Sequence, residues 1–125
     1  MSTNASGSPV LSLLIPIYNV QRYLRECLDS ALAQTLKDIE IICINDGSTD
    51  NSPAIIHEYM ERDGRVKMID KATSGYGDSM NHGLEMARGK YVGILESDDF
   101  MQPDALQKLI SAADTKNDHF ETPHF

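Results

Sequence analysis

The chain has 125 residues, 41% of them hydrophobic, and a formal net charge of −8. That is room for one domain with one core, and the acidic balance argues against nucleic acid as a partner, because no basic stripe exists to release counterions from phosphates. No apolar run approaches the ~20 residues of a membrane span, and Cys27 and Cys43, each inside an apolar pattern, read as reduced core thiols.

Residues 1–8, MSTNASGS, are small and polar and read as a disordered tail without the regions of a signal peptide. The expected location is the cytoplasm, with peripheral association at the inner face of the membrane left open. Val10 to Ile17 is an apolar run that suits a strand buried on both faces. Asn19 reads as the N-cap of a helix whose apolar face is Val20, Tyr23, Leu24, Cys27, Leu28, Ala31 and Leu32. Ile39 to Ile44 predicts a second strand, ending in Asn45-Asp46-Gly47-Ser48. Ser52-Pro53 opens a helix with Ile55, Ile56, Tyr59 and Met60 inward. Val66 to Ile69 is a third strand, and Ser74-Gly75-Tyr76-Gly77 leads into a helix carrying Met80, Leu84 and Ala87, with Gly89 as its stop. Tyr91 to Leu95 is a fourth strand, and Pro103 starts a last helix with Leu106, Leu109 and Ile110 inward.

Strand and helix alternate four times. That order predicts an α/β fold, a Rossmann-like, mostly parallel sheet with helices on both faces. Ligands of such sheets bind beyond the carboxyl ends of the strands. Tyr18-Asn19, Asn45 to Asp50 and Glu96 to Asp99 all follow strands and so gather on that edge.

Each cluster admits two readings. Asp98 and Asp99 either seat a hard divalent cation, Mg²⁺ or Mn²⁺, which links an acidic protein to a diphosphate, or cap the turn before Pro103. Asp46 either accepts from a base N–H or ribose hydroxyl, or makes an Asx-turn with Gly47 and Ser48. Asp50 reads as a solvated or capping residue. Gly75-Tyr76-Gly77 either lets the backbone approach a phosphate or is a plain turn; it is neither of the spaced glycine fingerprints. Lys71 and Arg88 are either phosphate contacts or surface charges. His57, His82, His119 and His124 lack ligand spacing and carry no metal assignment.

Pro16-Ile17-Tyr18-Asn19, Asn45 to Asp50, Asn81-His82-Gly83-Leu84 with Ala87-Arg88-Gly89, and Glu96-Ser97-Asp98-Asp99 together resemble the family 2 glycosyltransferases of the GT-A fold, in order and spacing. The resemblance runs from about Val10 to Ala113. Gly75-Tyr76-Gly77 with Glu96-Ser97-Asp98-Asp99 resembles a bacterial subgroup associated with surface polysaccharide assembly. The resemblance implies a nucleotide-sugar donor, often UDP-linked, a glycan or lipid-linked acceptor, and inversion at the anomeric carbon. It implies that Pro16, Tyr18 and Asn19 line the base pocket, that Asp46 bonds the uracil, and that Asp98 and Asp99 contact ribose and metal. The first acidic position of that motif is usually Asp; Glu96 keeps the charge and moves it.

Family members have a catalytic domain about twice this long, with the general base in the second half. Residues 9–125 are therefore expected to be the donor-binding part, truncated after about four strand–helix units, with no nameable base and little turnover alone. An open half-domain is expected to dimerise through its exposed face. A non-catalytic nucleotide-binding or assembly module is the alternative. A receiver-like signalling domain needs an acidic pair after the first strand, where Pro16-Ile17-Tyr18-Asn19 stands. A nucleotidyltransferase needs a Gly-rich, basic loop there.

Overall fold

The computed structural model describes residues 8–116. The expected tail therefore lies outside the described residues except for Ser8, as do His119, His124 and the rest of the C-terminal segment. Four strands, β1 (Leu11–Ile17), β2 (Ile39–Asp46), β3 (Val66–Lys71) and β4 (Tyr91–Ile94), alternate with four helices, α1 (Gln21–Leu32), α2 (Ser52–Arg62), α3 (Tyr76–Met86) and α4 (Ala105–Lys116). The sheet runs β3-β2-β1-β4 and every pairing is parallel. The α/β class and Rossmann-like winding follow as expected. Strand order reverses at β1, between β2 and β4, and that switch opens a crevice at the strands' carboxyl ends.

Side chains alternate across the sheet, as the two-residue strand period requires. Leu11, Leu13, Ile15, Ile17, Ile41 and Cys43 face one core, closed by Leu24 and Leu28 of α1, Ile56 and Tyr59 of α2, and Leu106 and Ile110 of α4. Leu14, Ile42, Ile44 and Val92 face the other, closed by Met80 of α3. Three helices thus cover one face and α3 alone covers the second. Both thiols are free and buried, and burial pushes Cys27 up to about 12.

Several boundaries differ from the sequence reading. β2 continues through Asn45 and Asp46, and β3 through Lys71, because Asn45 pairs with Asp70 and Asp46 with Lys71. α4 starts at Ala105, while Pro103 uses its carbonyl to accept the Thr35 N–H at 2.8 Å. Tyr23 is exposed, not inward, since the first turn of α1 stands at the edge where the sheet ends. Leu84 is also exposed: Gly83 takes the place against the sheet, and the next residue turns about 100° away. A Cβ on Gly83 would lie 2.9 Å from Ile44 Cδ1 and 3.1 Å from Leu14 Cδ1.

Gly89 is not a left-handed helix stop. α3 ends at Ala87 in extended backbone. Gly89 instead passes so close to β1 that a Cβ would lie 2.5 Å from Ser12 N. Its N–H donates to Ser12 Oγ at 2.8 Å. Ser12 in turn donates to Glu40 Oε2 at 2.5 Å, and Glu40 also accepts from Lys67 Nζ at 2.7 Å and Arg88 N at 2.7 Å. This buried network ties the α3–β4 connection to the sheet near the strands' amino ends. No described helix is long and apolar enough to cross a membrane.

Candidate functional site

The crevice at the switch point is a cavity of about 330 Å³, within the range of small-molecule sites. Its walls are Pro16, Ile17, Tyr18 and Val20 after β1, Asp46 at the end of β2, Thr73 after β3, Tyr76 and Ser79 of α3, and Glu96, Ser97 and Asp98 after β4. Of the residues read from sequence, Pro16, Tyr18, Asp46 and Asp98 line it; Asn19 and Asp99 do not.

Asp46 is the best-anchored wall residue. Its Oδ1 accepts from Ser74 N at 2.8 Å and from the Lys71 ammonium, and Oδ2 accepts from Gly75 N at 3.1 Å. Lys71 above all, then the two N–H groups, hold its carboxyl below the usual range. Thr73 Oγ1 donates to the Asp46 carbonyl at 3.0 Å. Asp46 therefore does not make the Asx-turn. Asn45 does that work: its Oδ1 accepts from Ser48 N at 3.2 Å. Gly47 is in the left-handed region (φ 74°), and a Cβ there would lie 2.1 Å from Thr73 Oγ1, so only glycine lets the two loops meet.

Asn19 is not the cap of α1; Val20 holds that position, without a side-chain cap bond. Asn19 is itself left-handed at φ 51°, a conformation its short polar side chain tolerates. Its Oδ1 accepts from Thr49 N at 2.7 Å and Asp50 N at 3.2 Å, and its own N–H donates to Ser48 Oγ at 3.0 Å. It thus pins the β1–α1 loop, with Tyr18, to the β2–α2 loop. Asp50 is a capping residue twice over: Oδ1 accepts from Ser52 N at 2.9 Å and Oδ2 from Gln21 N at 3.1 Å, one at the start of each helix. Ser52 is already the first helical residue, with Asn51 as the cap, and its Oγ accepts from Val20 N at 3.2 Å.

Across the mouth, the Tyr76 hydroxyl donates to Glu96 Oε2 at 3.1 Å. Asp98 and Asp99 are exposed, and among the described residues no hydrogen bond or ion pair holds either carboxylate. They do not cap the turn before Pro103. Carboxylate oxygens are the donor type that Mg²⁺ or Mn²⁺ takes, but no group of three or more His, Cys, Asp or Glu side chains gathers among the described residues, and Asp99 lies outside the cavity wall.

The other phosphate candidates are engaged or displaced. Lys71 is held by Asp46, by Ser74 Oγ at 2.5 Å and by the Ala72 carbonyl at 3.1 Å. Arg88 lies beside Glu40, toward the opposite end of the sheet. α3 does begin directly after Gly75 (φ 102°), but its first turn carries Asp78, which accepts from Ser74 Oγ at 2.5 Å.

The sequence reading missed Ser79. It is 1% exposed, and its Oγ finds no hydrogen-bond partner among the described residues. Leaving a buried hydroxyl unpaired costs about 1–3 kcal/mol. The legible signal was a small polar residue on the inward stripe Ser79, Met80, Gly83.

The family described as "Glycosyl transferase family 2" matches residues 12–124. The glycosyltransferase EpsJ of Bacillus subtilis (strain 168), itself described as uncharacterized, is 42% identical over 106 residues, which is 85% of this chain and 31% of that protein. Chondroitin synthase of Pasteurella multocida (strain Pm70) is 40% identical over 99 residues, 79% of this chain and 10% of that protein. The crystal structure of S. aureus TarS 1-349 in complex with UDP-GlcNAc superposes with a TM-score of 0.73 at 26% identity, over 84% of this chain and 31% of that one. The chain spans under a third of the length of EpsJ. With its fold and the placement of its motifs, the match over residues 12–124 shows that the chain belongs to glycosyl transferase family 2.

Proposed function

We propose that residues 8–116 form the donor site of a glycosyltransferase that moves a sugar from a nucleoside diphosphate, UDP in the first instance, to an acceptor hydroxyl of a growing glycan or lipid-linked saccharide, with inversion. The observation that carries this reading is the convergence of Asp46, from the end of β2, and Asp98, from the segment after β4, on one cavity at the strand-order switch. TarS, similar over 84% of the chain, binds UDP-GlcNAc, and chondroitin synthase supports a polysaccharide product.

Each wall then has a task. Pro16, Ile17 and Val20 offer apolar surface to a flat base, and Tyr18 stands at the rim with its ring half exposed. Asn19 acts at one remove, fixing the loop that carries Tyr18. Asp46 accepts a ring N–H of the base. Asp98 reaches the ribose, and Asp98 and Asp99 would hold Mn²⁺ or Mg²⁺. When bound, such an ion supplies positive charge beside the leaving diphosphate, where charge builds in the transition state. Without it the acidic rim and a chain of net charge −8 would repel that leaving group.

Calorimetric titration with UDP, GDP and dTDP, each with and without Mn²⁺, tests the reading. Binding of UDP that tightens with Mn²⁺ is expected. Negligible heat for all three, with and without the ion, would overturn it.

A further inference from the structure

Ser79 is fixed in place. Its N–H donates to the Gly75 carbonyl at 3.1 Å, and one turn later Gly83 presses on Ile44 and Leu14. Ile44 faces α3, and Asp46, two residues on, takes the same face of the strand. Ser79 lies one turn nearer the carboxyl edge than Gly83, Gly75 links it to Asp46 by donating its own N–H to Asp46 Oδ2, and Ser79 and Asp46 both line the cavity. One group is a carboxylate and the other a hydroxyl without a protein partner.

Their chemistry is complementary to one kind of edge. Asp46 Oδ2 receives one N–H, from Gly75, against two donors on Oδ1, so it keeps a site for a further donor. The Ser79 hydroxyl has a proton to give. A base that offers a ring N–H beside a carbonyl satisfies both; uracil does, whereas cytosine turns an unprotonated ring nitrogen toward the carboxylate. Resting on the donor-site reading above, we propose that Ser79 is a specificity-determining residue that donates to the base carbonyl next to the N–H taken by Asp46.

The test uses the full chain and three ligands, UDP, 2-thio-UDP and 4-thio-UDP, against the parent and Ser79→Ala. Sulfur accepts a hydrogen bond less well than oxygen. Ser79→Ala should weaken UDP about threefold to tenfold, the value of one neutral hydrogen bond. The parent should lose a similar factor on one of the two thio ligands, and Ser79→Ala should bind that ligand and UDP alike. The variant should melt no lower than the parent, since the lost hydroxyl has no protein partner. Equal UDP affinity in parent and variant overturns the proposal while the donor-site reading stands. So does an equal loss for all three ligands, or a markedly lower melting temperature, either of which marks a packing role. If the parent takes up no UDP, the donor-site reading falls and this proposal falls with it.

Discussion

The Lys71 ammonium and the Asp46 carboxylate meet across paired positions of β3 and β2, at the last residue of each strand. Lys71 thus holds the carboxylate that the cavity presents, and does so from the end of the edge strand β3. Both side chains are nearly nine-tenths buried. Lys71→Met keeps much of the stem and removes the charge, leaving Asp46 with two backbone N–H groups. We expect a loss of about 1–3 kcal/mol in urea unfolding, the usual scale for a charged hydrogen bond. Unchanged stability would show that the pair is only a surface contact.

The two acidic positions should separate by ligand. Asp46→Ala should weaken uridine itself as well as UDP, because the proposed partner of its carboxylate is the base. Asp99→Ala should leave uridine unaffected and abolish the gain that Mn²⁺ brings to UDP. Titration of both variants with uridine, UDP and Mn²⁺-UDP checks this. Equal binding of Mn²⁺-UDP by Asp99→Ala and the parent would remove Asp99 from the proposed metal site.

The Glu40 network makes a prediction about acid. Burial works to raise the Glu40 carboxyl, but the bonds from Lys67, Ser12 and the Arg88 N–H outweigh it, and the net direction is down. A carboxyl lower in the folded than in the unfolded chain adds stability above the unfolded value of about 4.3. That stability is lost as pH falls through the folded value. Glu40→Gln should therefore be less stable than the parent at pH 7, and the gap should narrow below about pH 4. Urea midpoints across that window are the readout; a gap independent of pH would assign the effect to packing.

How much of this was legible in the residues depends on the range of the interaction. The strands were, because parallel strands buried on both faces read as apolar runs, as Leu11–Ile17 does. The last residues of β2 were not: Asn45 and Asp46 look like loop, yet their backbones still pair with β3. Asp50 beside Ser52 carried a local cap signal, whereas Asn19 serves a loop about thirty residues away and no spacing rule reports that. Arg88 could be read as a phosphate contact or a surface charge; its place beside Glu40, near the amino ends of the strands, is set by the direction of α3, which no local pattern reports. Pro16, Tyr18, Asp46 and Asp98 were legible as one cluster because each follows or ends a strand, and parallel strands deliver their ends to one edge.

Two glycines of the α3 segment should respond in opposite senses to the same added methyl group. Gly77 is in the first turn of α3, and a Cβ there meets nothing within 4 Å. Gly77→Ala should stabilise the chain by about 0.4–1 kcal/mol, mainly by restricting the unfolded state. At Gly89 the same methyl meets the backbone of β1, with Ser12 N at 2.5 Å and Leu11 C at 2.7 Å. A strand buried between two helical layers cannot give way as a flexible side chain can, and separating Gly89 from it would also break the bond to Ser12 Oγ. Gly89→Ala should cost about 1–3 kcal/mol or more. Thermal and urea unfolding of both variants reads the difference. Equal stability of Gly89→Ala and the parent would mean that the α3–β4 connection is free to lift off the sheet, and the Glu40 network would then lose its place in holding it.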